Sequence, residues 1–223
     1  MFAARARICS GAVGFGLFMS VLAFPANADI ILQTALFTGV DNGEYIVHSD
    51  RFIGASFALS SPTQITGIGG QFGGFPAGTI FGAIIPLDSL TALPTYAPDQ
   101  LPTHSLADTV FSLVGQLPAI PQGADIIEPL SVTLPPGTYA VLFGSGLFGA
   151  DGNGGLGFQN TPCCSPTFLQ NFFGDWASFN DPGVRIVVQG VSVPAPIAGA
   201  GLPGLIFASG GLLGWWRRRQ KVA

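Results

Sequence analysis

Residues 131–143 read SVTLPPGTYAVLF, and their pattern decides the fold class. Val132 and Leu134 alternate with Ser131 and Thr133, and beyond the interruption Tyr139, Val141 and Phe143 share one face. A side-chain period of two is the mark of a strand with one face buried. Between the halves stand Pro135, Pro136 and Gly137. Proline fixes φ and glycine tolerates a positive one, so the tripeptide turns the chain. The stretch is expected to be a β-hairpin.

The same period recurs on both sides of it. In Arg51–Leu59, residues Ile53, Ala55, Phe57 and Leu59 fall on one face, and Thr63–Ile68 alternates in the same way. Other β-rich runs are Ile30–Phe37, Tyr45–His48, Gln64–Phe72, Thr79–Ile85, Thr109–Val114, Leu130–Leu134, Thr138–Phe143, Leu156–Gln159 and Val184–Val191, punctuated by Gly, Pro, Asn and Asp. No stretch of this body sustains a 3.6-residue apolar period. About ten short strands in roughly 165 residues predict an all-β ectodomain over 29–192, an antiparallel two-sheet sandwich of jelly-roll type with half-buried strands. Most of the nineteen phenylalanines are expected as wedges between the sheets. Leu93–Pro102 and Leu117–Pro121 are expected as surface loops, Thr103–Asp108 as one helical turn, and the glycine-rich 144–157 as a hairpin connection.

Both ends differ from this body. Arg5 and Arg7 precede an apolar run from Ile8 to Phe24, and Pro25-Ala26-Asn27-Ala28 follows. A basic start, an apolar centre and an Ala-x-Ala site predict a secretory signal peptide over 1–28, cleaved between Ala28 and Asp29. At the other end, Ile197 to Trp216 carries no charge. At about 1.5 Å per helical residue this covers roughly 30 Å, the hydrocarbon thickness of a bilayer. Arg217, Arg218, Arg219 and Lys221 follow, so the basic end 217–223 is expected in the cytoplasm and the body outside. Trp215 and Trp216 suit the interface. Six glycines and Pro203 weaken this helix.

Val193-Pro194-Ala195-Pro196, the Gly/Leu-rich span and Trp-Arg-Arg-Arg together resemble a PEP-CTERM sorting signal, over residues 193–223. Such signals join a short Pro-x-Pro motif, one transmembrane helix and a terminal arginine cluster. Ala195 stands where that family usually has Glu. The resemblance implies retention in the inner membrane, processing near the motif by an exosortase-like enzyme, and a destination at the cell surface or in extracellular polysaccharide. The 131–143 pattern is similar to hairpins of secreted carbohydrate-binding-type sandwiches and of PEP-CTERM ectodomains.

Charge narrows the partners. All twelve acidic residues lie in the body, opposed there only by Arg51 and Arg185, which leaves a net charge near −10. Such a surface is repelled by phosphate backbones, so no nucleic-acid partner is expected.

Reactive residues are few. His48 lies near Ser49 and Asp50, but no Gly-x-Ser-x-Gly elbow accompanies them, and His104 sits in a Pro-rich segment. The only glutamates are Glu44 and Glu128. Glycoside hydrolysis needs two carboxylates about 5 to 9 Å apart; both glutamates stand beside turns, and Asp125 and Glu128 read equally as solvated loop charges. Asp151-Gly152-Asn153-Gly154 offers oxygens of the type calcium takes and reads also as a type I′ turn; no metal or cofactor is expected. Adjacent Cys163 and Cys164 fit a vicinal disulfide in an oxidising compartment, two thiols, or an intermolecular bridge. Tyr45, Tyr96, Trp176 and Phe179 stand near polar residues, and Trp176 in FFGDWASFN is the first candidate for a sugar platform, against a place in the core. The expectation is a non-enzymatic structural or adhesive exported protein; the alternative is a carbohydrate-binding module for extracellular polysaccharide.

Overall fold

The computed structural model describes residues 28–39, 43–116, 124–164, 166–181 and 183–193. Ala26 and the rest of 1–27, Leu117–Pro121, and the tail from Pro194 onward lie outside them. That tail holds Ala195, Pro196, the expected span 197–216, Arg217, Arg218, Arg219 and Lys221.

Fourteen strands occur among the described residues: β1 (Asp29–Gln33), β2 (Ala35–Leu36), β3 (Glu44–Val47), β4 (Arg51–Leu59), β5 (Thr63–Ala77), β6 (Thr79–Leu87), β7 (Ala107–Ser112), β8 (Ala124–Leu134), β9 (Gly137–Gly144), β10 (Asn153–Gly157), β11 (Thr161–Pro162), β12 (Phe168–Phe172), β13 (Asp175–Phe179) and β14 (Ile186–Ser192). One six-stranded sheet runs β1-β14-β5-β10-β3 with β8 also paired to β5; the other runs β13-β12-β4-β9-β6-β7; β11 and β2 form a small third sheet. Every pairing is antiparallel. Each expected β-rich run meets a strand, while β11, β12 and β13 have no counterpart in the sequence expectation. Among the described residues, no helix is long and apolar enough to cross a membrane.

The two large sheets share one core. Ile65, Ile68, Phe72, Leu156 and Ile186 of the first meet Ile53, Phe57, Ile84, Val141 and Phe143 of the second. Phe72 and Phe143 touch edge to face across it, with ring centroids 5.4 Å apart. Phe52, Phe72, Phe81, Phe143 and Phe168 are fully buried, each removing apolar area worth about 1.5–3 kcal/mol.

The stretch 131–143 corrects its own reading. Leu134, Tyr139, Val141 and Phe143 do enter the core, and Val132 packs against it. The two strands do not pair with each other, however. β8 zips along β5 from Thr63 to Phe72, whereas β9 lies between β4 and β6 in the other sheet. Pro135 and Pro136 therefore carry the chain from one sheet to the other. The Tyr139 hydroxyl donates to the Pro135 carbonyl at 2.8 Å and ties down that crossing. The alternation specified the faces, and longer ladders elsewhere decided the partners. Residues 144–157 cross between sheets in the same way, from β9 to β10, and are no hairpin connection.

The tight hairpin lies where none was expected. β12 and β13 pair from Phe168↔Phe179 to Phe172↔Asp175, leaving Phe173 and Gly174 as a two-residue turn. Both have positive φ, 51° and 99°, as a type I′ turn requires. Phenylalanine at such a position conceals the turn from sequence rules, which look for Asn or Asp.

A second apolar layer covers the outer face of the second sheet. Phe52, Phe81, Ala83, Ile85, Ala140, Leu142 and Leu169 point away from the main core and are buried by Leu101, Ala150 and partly buried Leu93, Tyr96, Leu147, Phe148 and Trp176. Leu93–Pro102 runs as an irregular surface segment through Ala97, as expected, and its Leu93, Tyr96 and Leu101 side chains cover the sheet. The helical turn α1 falls at Leu101–His104, and Asp108 belongs to β7. Strands β4, β6 and β9 are buried on both faces, unlike the half-buried strands expected.

Candidate functional site

Four connections converge at one end of the second sheet and enclose a cleft of about 370 Å³. The β3–β4 turn contributes Ser49 and Asp50, a 3₁₀ turn over Pro98–Gln100 contributes Pro98 and Asp99, the loop after β9 contributes Gly146 and Leu147, and the β12–β13 turn contributes Gly174. Phe52 and Asn171 complete the lining from β4 and β12. Loops held by a rigid scaffold are where binding residues concentrate.

Local hydrogen bonds hold each wall. His48 and Arg51 exchange backbone hydrogen bonds of 3.1 and 3.2 Å, and the Asp50 amide donates to His48 Nδ1 at 3.1 Å. The Phe173 amide donates to the Asp50 carbonyl at 2.9 Å and couples two walls. Gly146 donates to Ala150, and Ala150 to Leu147, at 2.8 and 2.9 Å. The two non-glycine residues of positive φ among the described residues, Phe148 and Phe173, both stand in loops of this cleft. Such conformations persist only where surroundings enforce them.

The lining carries two carboxylates and no basic side chain. Asn171 is 1% exposed, and its Nδ2 has no hydrogen-bond partner. At the neighbouring turn two aromatic rings face solvent: Phe172 is 47% and Phe173 71% exposed. They touch edge to face at 4.4 Å, and the Arg51 guanidinium lies 5.5 Å from the Phe172 ring.

The aromatic residues singled out in the sequence are committed elsewhere. Trp176 is half-buried beside Phe52, and its indole Nε1 donates to the Tyr96 carbonyl at 2.9 Å. Tyr45 donates to Asp181 at 3.0 Å and packs on Phe158 and Phe179. Burial raises the Tyr45 phenol pKa, reinforced by the Asp181 bond. Tyr96 stacks on His104 with centroids 3.8 Å apart, and burial pushes its phenol up to about 12. The exposed pair Phe172 and Phe173 was missed; the signal was present as a Phe-Phe-Gly turn between two alternating runs.

The remaining candidates lie on separate elements. Glu44 and Glu128 lie on β3 and β8, which do not pair, and Glu128 is mid-strand opposite Ile68. Asp125 is no solvated loop charge, since it pairs with Arg185 at 2.7 Å. Asp151 accepts from the Thr79 hydroxyl at 3.1 Å and Asn153 from the Ala77 amide at 3.1 Å, so this loop is pegged to the β5–β6 corner. Among the described residues no three His, Cys, Asp or Glu side chains gather as metal ligands.

Cys163 and Cys164 are exposed thiols with sulfurs 2.9 Å apart. Hydrogen bonding to Cys163, with burial, raises the Cys164 thiol pKa. Cys164 also borders an apolar groove of about 280 Å³ beside Leu32, Phe57 and Leu90. Ala28 is exposed, Asp29 opens β1 opposite Gly190, and Val193 donates to the Pro62 carbonyl at 2.9 Å just after β14. Comparison with protein-family models, with curated proteins and with solved structures found no match.

Proposed function

We propose that this chain is an exported, non-enzymatic structural or adhesive protein whose body is a jelly-roll-type sandwich shown outside the cell. In this reading the signal peptide is removed before Asp29, and 193–223 holds the protein in the inner membrane until an exosortase-like enzyme acts near Val193-Pro194-Ala195-Pro196. The observation that carries it is the three-part layout of the tail. The fold is consistent with that layout: β14 ends at Ser192, one residue before the motif, and pairs with β1, which starts at Asp29. Both processing points then flank neighbouring strands, and neither cut removes a strand of the sheet.

Intact-mass measurement on protein from its native cell tests this. A chain starting at Asp29, with its C-terminus trimmed near Pro194 or intact in the membrane fraction, supports the reading. Full-length protein with both ends untouched in the cytosol overturns it. The same spectrum reports Cys163 and Cys164, since a vicinal disulfide lowers the mass by two hydrogens.

A second reading, a carbohydrate-binding module for extracellular polysaccharide, is favoured by one specific observation: the exposed Phe172 and Phe173 beside an acidic cleft. Aromatic faces stack on the apolar side of sugar rings. Trp176 serves that surface by anchoring its hairpin to Tyr96. Glycan-array binding that is lost in Trp176→Ala and Phe173→Ala supports it, and an empty array rejects it.

A further inference from the structure

We propose that Cys163 and Cys164 are a redox-active pair: Cys163 attacks an external disulfide, Cys164 resolves the mixed disulfide that forms, and the two sulfurs close into a vicinal disulfide. The external disulfide is the oxidant. This goes beyond the function proposed above and does not depend on it.

Both residues follow β11, whose pairing with β2 lays the segment beside the end of β1. Their side chains are exposed and their sulfurs lie 2.9 Å apart. Structural cysteines are among the most buried residues, and reactive ones are partly exposed. Two neighbouring exposed thiols belong to the reactive class.

The surroundings assign the roles. Gln33 Nε2 donates to Cys163 Sγ at 3.8 Å, and that sulfur lies 3.6 Å from the Gln33 carbonyl. When Cys163 gives up its proton, its sulfur accepts from the Gln33 amide and from the Cys164 S–H. Two donors then hold the thiolate, which is the attacking form. Cys164 keeps its proton in the meantime, since the hydrogen bond with Cys163, and after it burial, raises its pKa. The Cys163 thiolate attacks one sulfur of R–S–S–R, forms Cys163–S–S–R and expels R–S⁻. With Cys163 no longer a thiolate, the repulsion that kept Cys164 protonated is gone. Cys164 then attacks Cys163 Sγ and expels the second R–S⁻. Both thiol protons end on two R–SH, and two electrons pass from the pair to the external disulfide.

The bond is not a staple. Disulfide stabilisation grows with the length of chain enclosed, and adjacent residues enclose none. Exposed disulfides are the labile, exchangeable ones. A bridge to a second chain competes poorly, because groups held in contact react at effective concentrations that no dissolved partner reaches. A closed zinc site takes four ligands, and among the described residues no third His, Cys, Asp or Glu joins this pair.

The test uses the full chain in detergent with Cys9→Ser, so that the pair is read alone. The reduced protein is exposed to glutathione disulfide in the presence of EDTA and followed by intact mass. A monomer lighter by two hydrogens, with no glutathione attached, is expected. Cys164→Ser should trap a stable glutathione adduct, and Cys163→Ser should gain its adduct about fivefold more slowly or worse. Both positions are exposed, so neither change threatens the fold. Oxidised and reduced protein should unfold at the same urea concentration. Two glutathiones held by one chain, a disulfide-linked dimer, or no reaction overturns the proposal. Equal or reversed rates in the two variants overturn the assigned roles. An oxidised midpoint well above the reduced one makes the bond a staple and overturns the redox-active pair.

Discussion

Arg185 grips Asp125 with two hydrogen bonds, Nε to Oδ1 at 3.0 Å and Nη2 to Oδ2 at 2.7 Å. Its remaining nitrogen, Nη1, donates to the Ala35 carbonyl. Arg185 directly precedes β14, and Asp125 lies in β8, so the pair straps together two of the strands that pair with β5. Arg185 is only 6% exposed. Removing its partner leaves a buried guanidinium uncompensated. Asp125→Ala should therefore destabilise the fold by about 3 kcal/mol, read as a lower urea midpoint. Arg185→Lys should not restore wild-type stability, because an ammonium lacks the fork that matches a carboxylate. A midpoint unchanged in Asp125→Ala would show that the strap contributes nothing.

Phe173 pays for its position with a φ of 51°, a conformation that bulky L residues avoid. Asn adopts it readily and favours type I′ turns. Phe173→Asn is therefore expected to raise stability by about 0.5–1 kcal/mol while lowering sugar binding. Opposed changes of this kind mark a residue kept for function. If stability falls, the side chain was contributing packing that its exposure conceals.

Tyr96 carries a buried hydroxyl with no partner. Tyr96→Phe keeps the ring on His104 and removes an unsatisfied group, so it should be neutral or stabilising by about 1 kcal/mol. The phenol also sets an alkaline limit. In the unfolded chain it releases its proton near pH 10, and in the folded one only at about 12. Between those values the unfolded state binds fewer protons, so stability falls as pH rises. Denaturant midpoints from pH 9 to 12 should show that loss, and Tyr96→Phe should reduce it.

The crossing between sheets depends on Tyr139, whose hydroxyl reaches the Pro135 carbonyl at 2.8 Å. Tyr139→Phe should cost about 1 kcal/mol by thermal or urea unfolding. At Gly54 there is no space at all: a Cβ there would fall on the Val141 carbonyl of the neighbouring strand. Gly54→Ala should cost more than the tyrosine change, because backbone and not a flexible side chain must move. Equal losses would mean that β4 and β9 separate easily.

The sequence by itself determined which side chains face inward. Ile53, Ala55, Phe57 and Leu59, and likewise Tyr139, Val141 and Phe143, enter the core as their spacing requires, because a period of two depends only on the local extended backbone. Only the tertiary structure decided who pairs with whom. Strand pairing is a competition among all strands at once, so β8 takes β5 and β9 takes β4 and β6, although β8 and β9 are neighbours in sequence. The second layer over β4, β6 and β9 was hidden for the same reason, since its cover comes from residues far along the chain. So was the cleft: Asp50, Asp99 and Asn171 belong to three separate segments, and no local pattern marks groups that meet only when the sheets close.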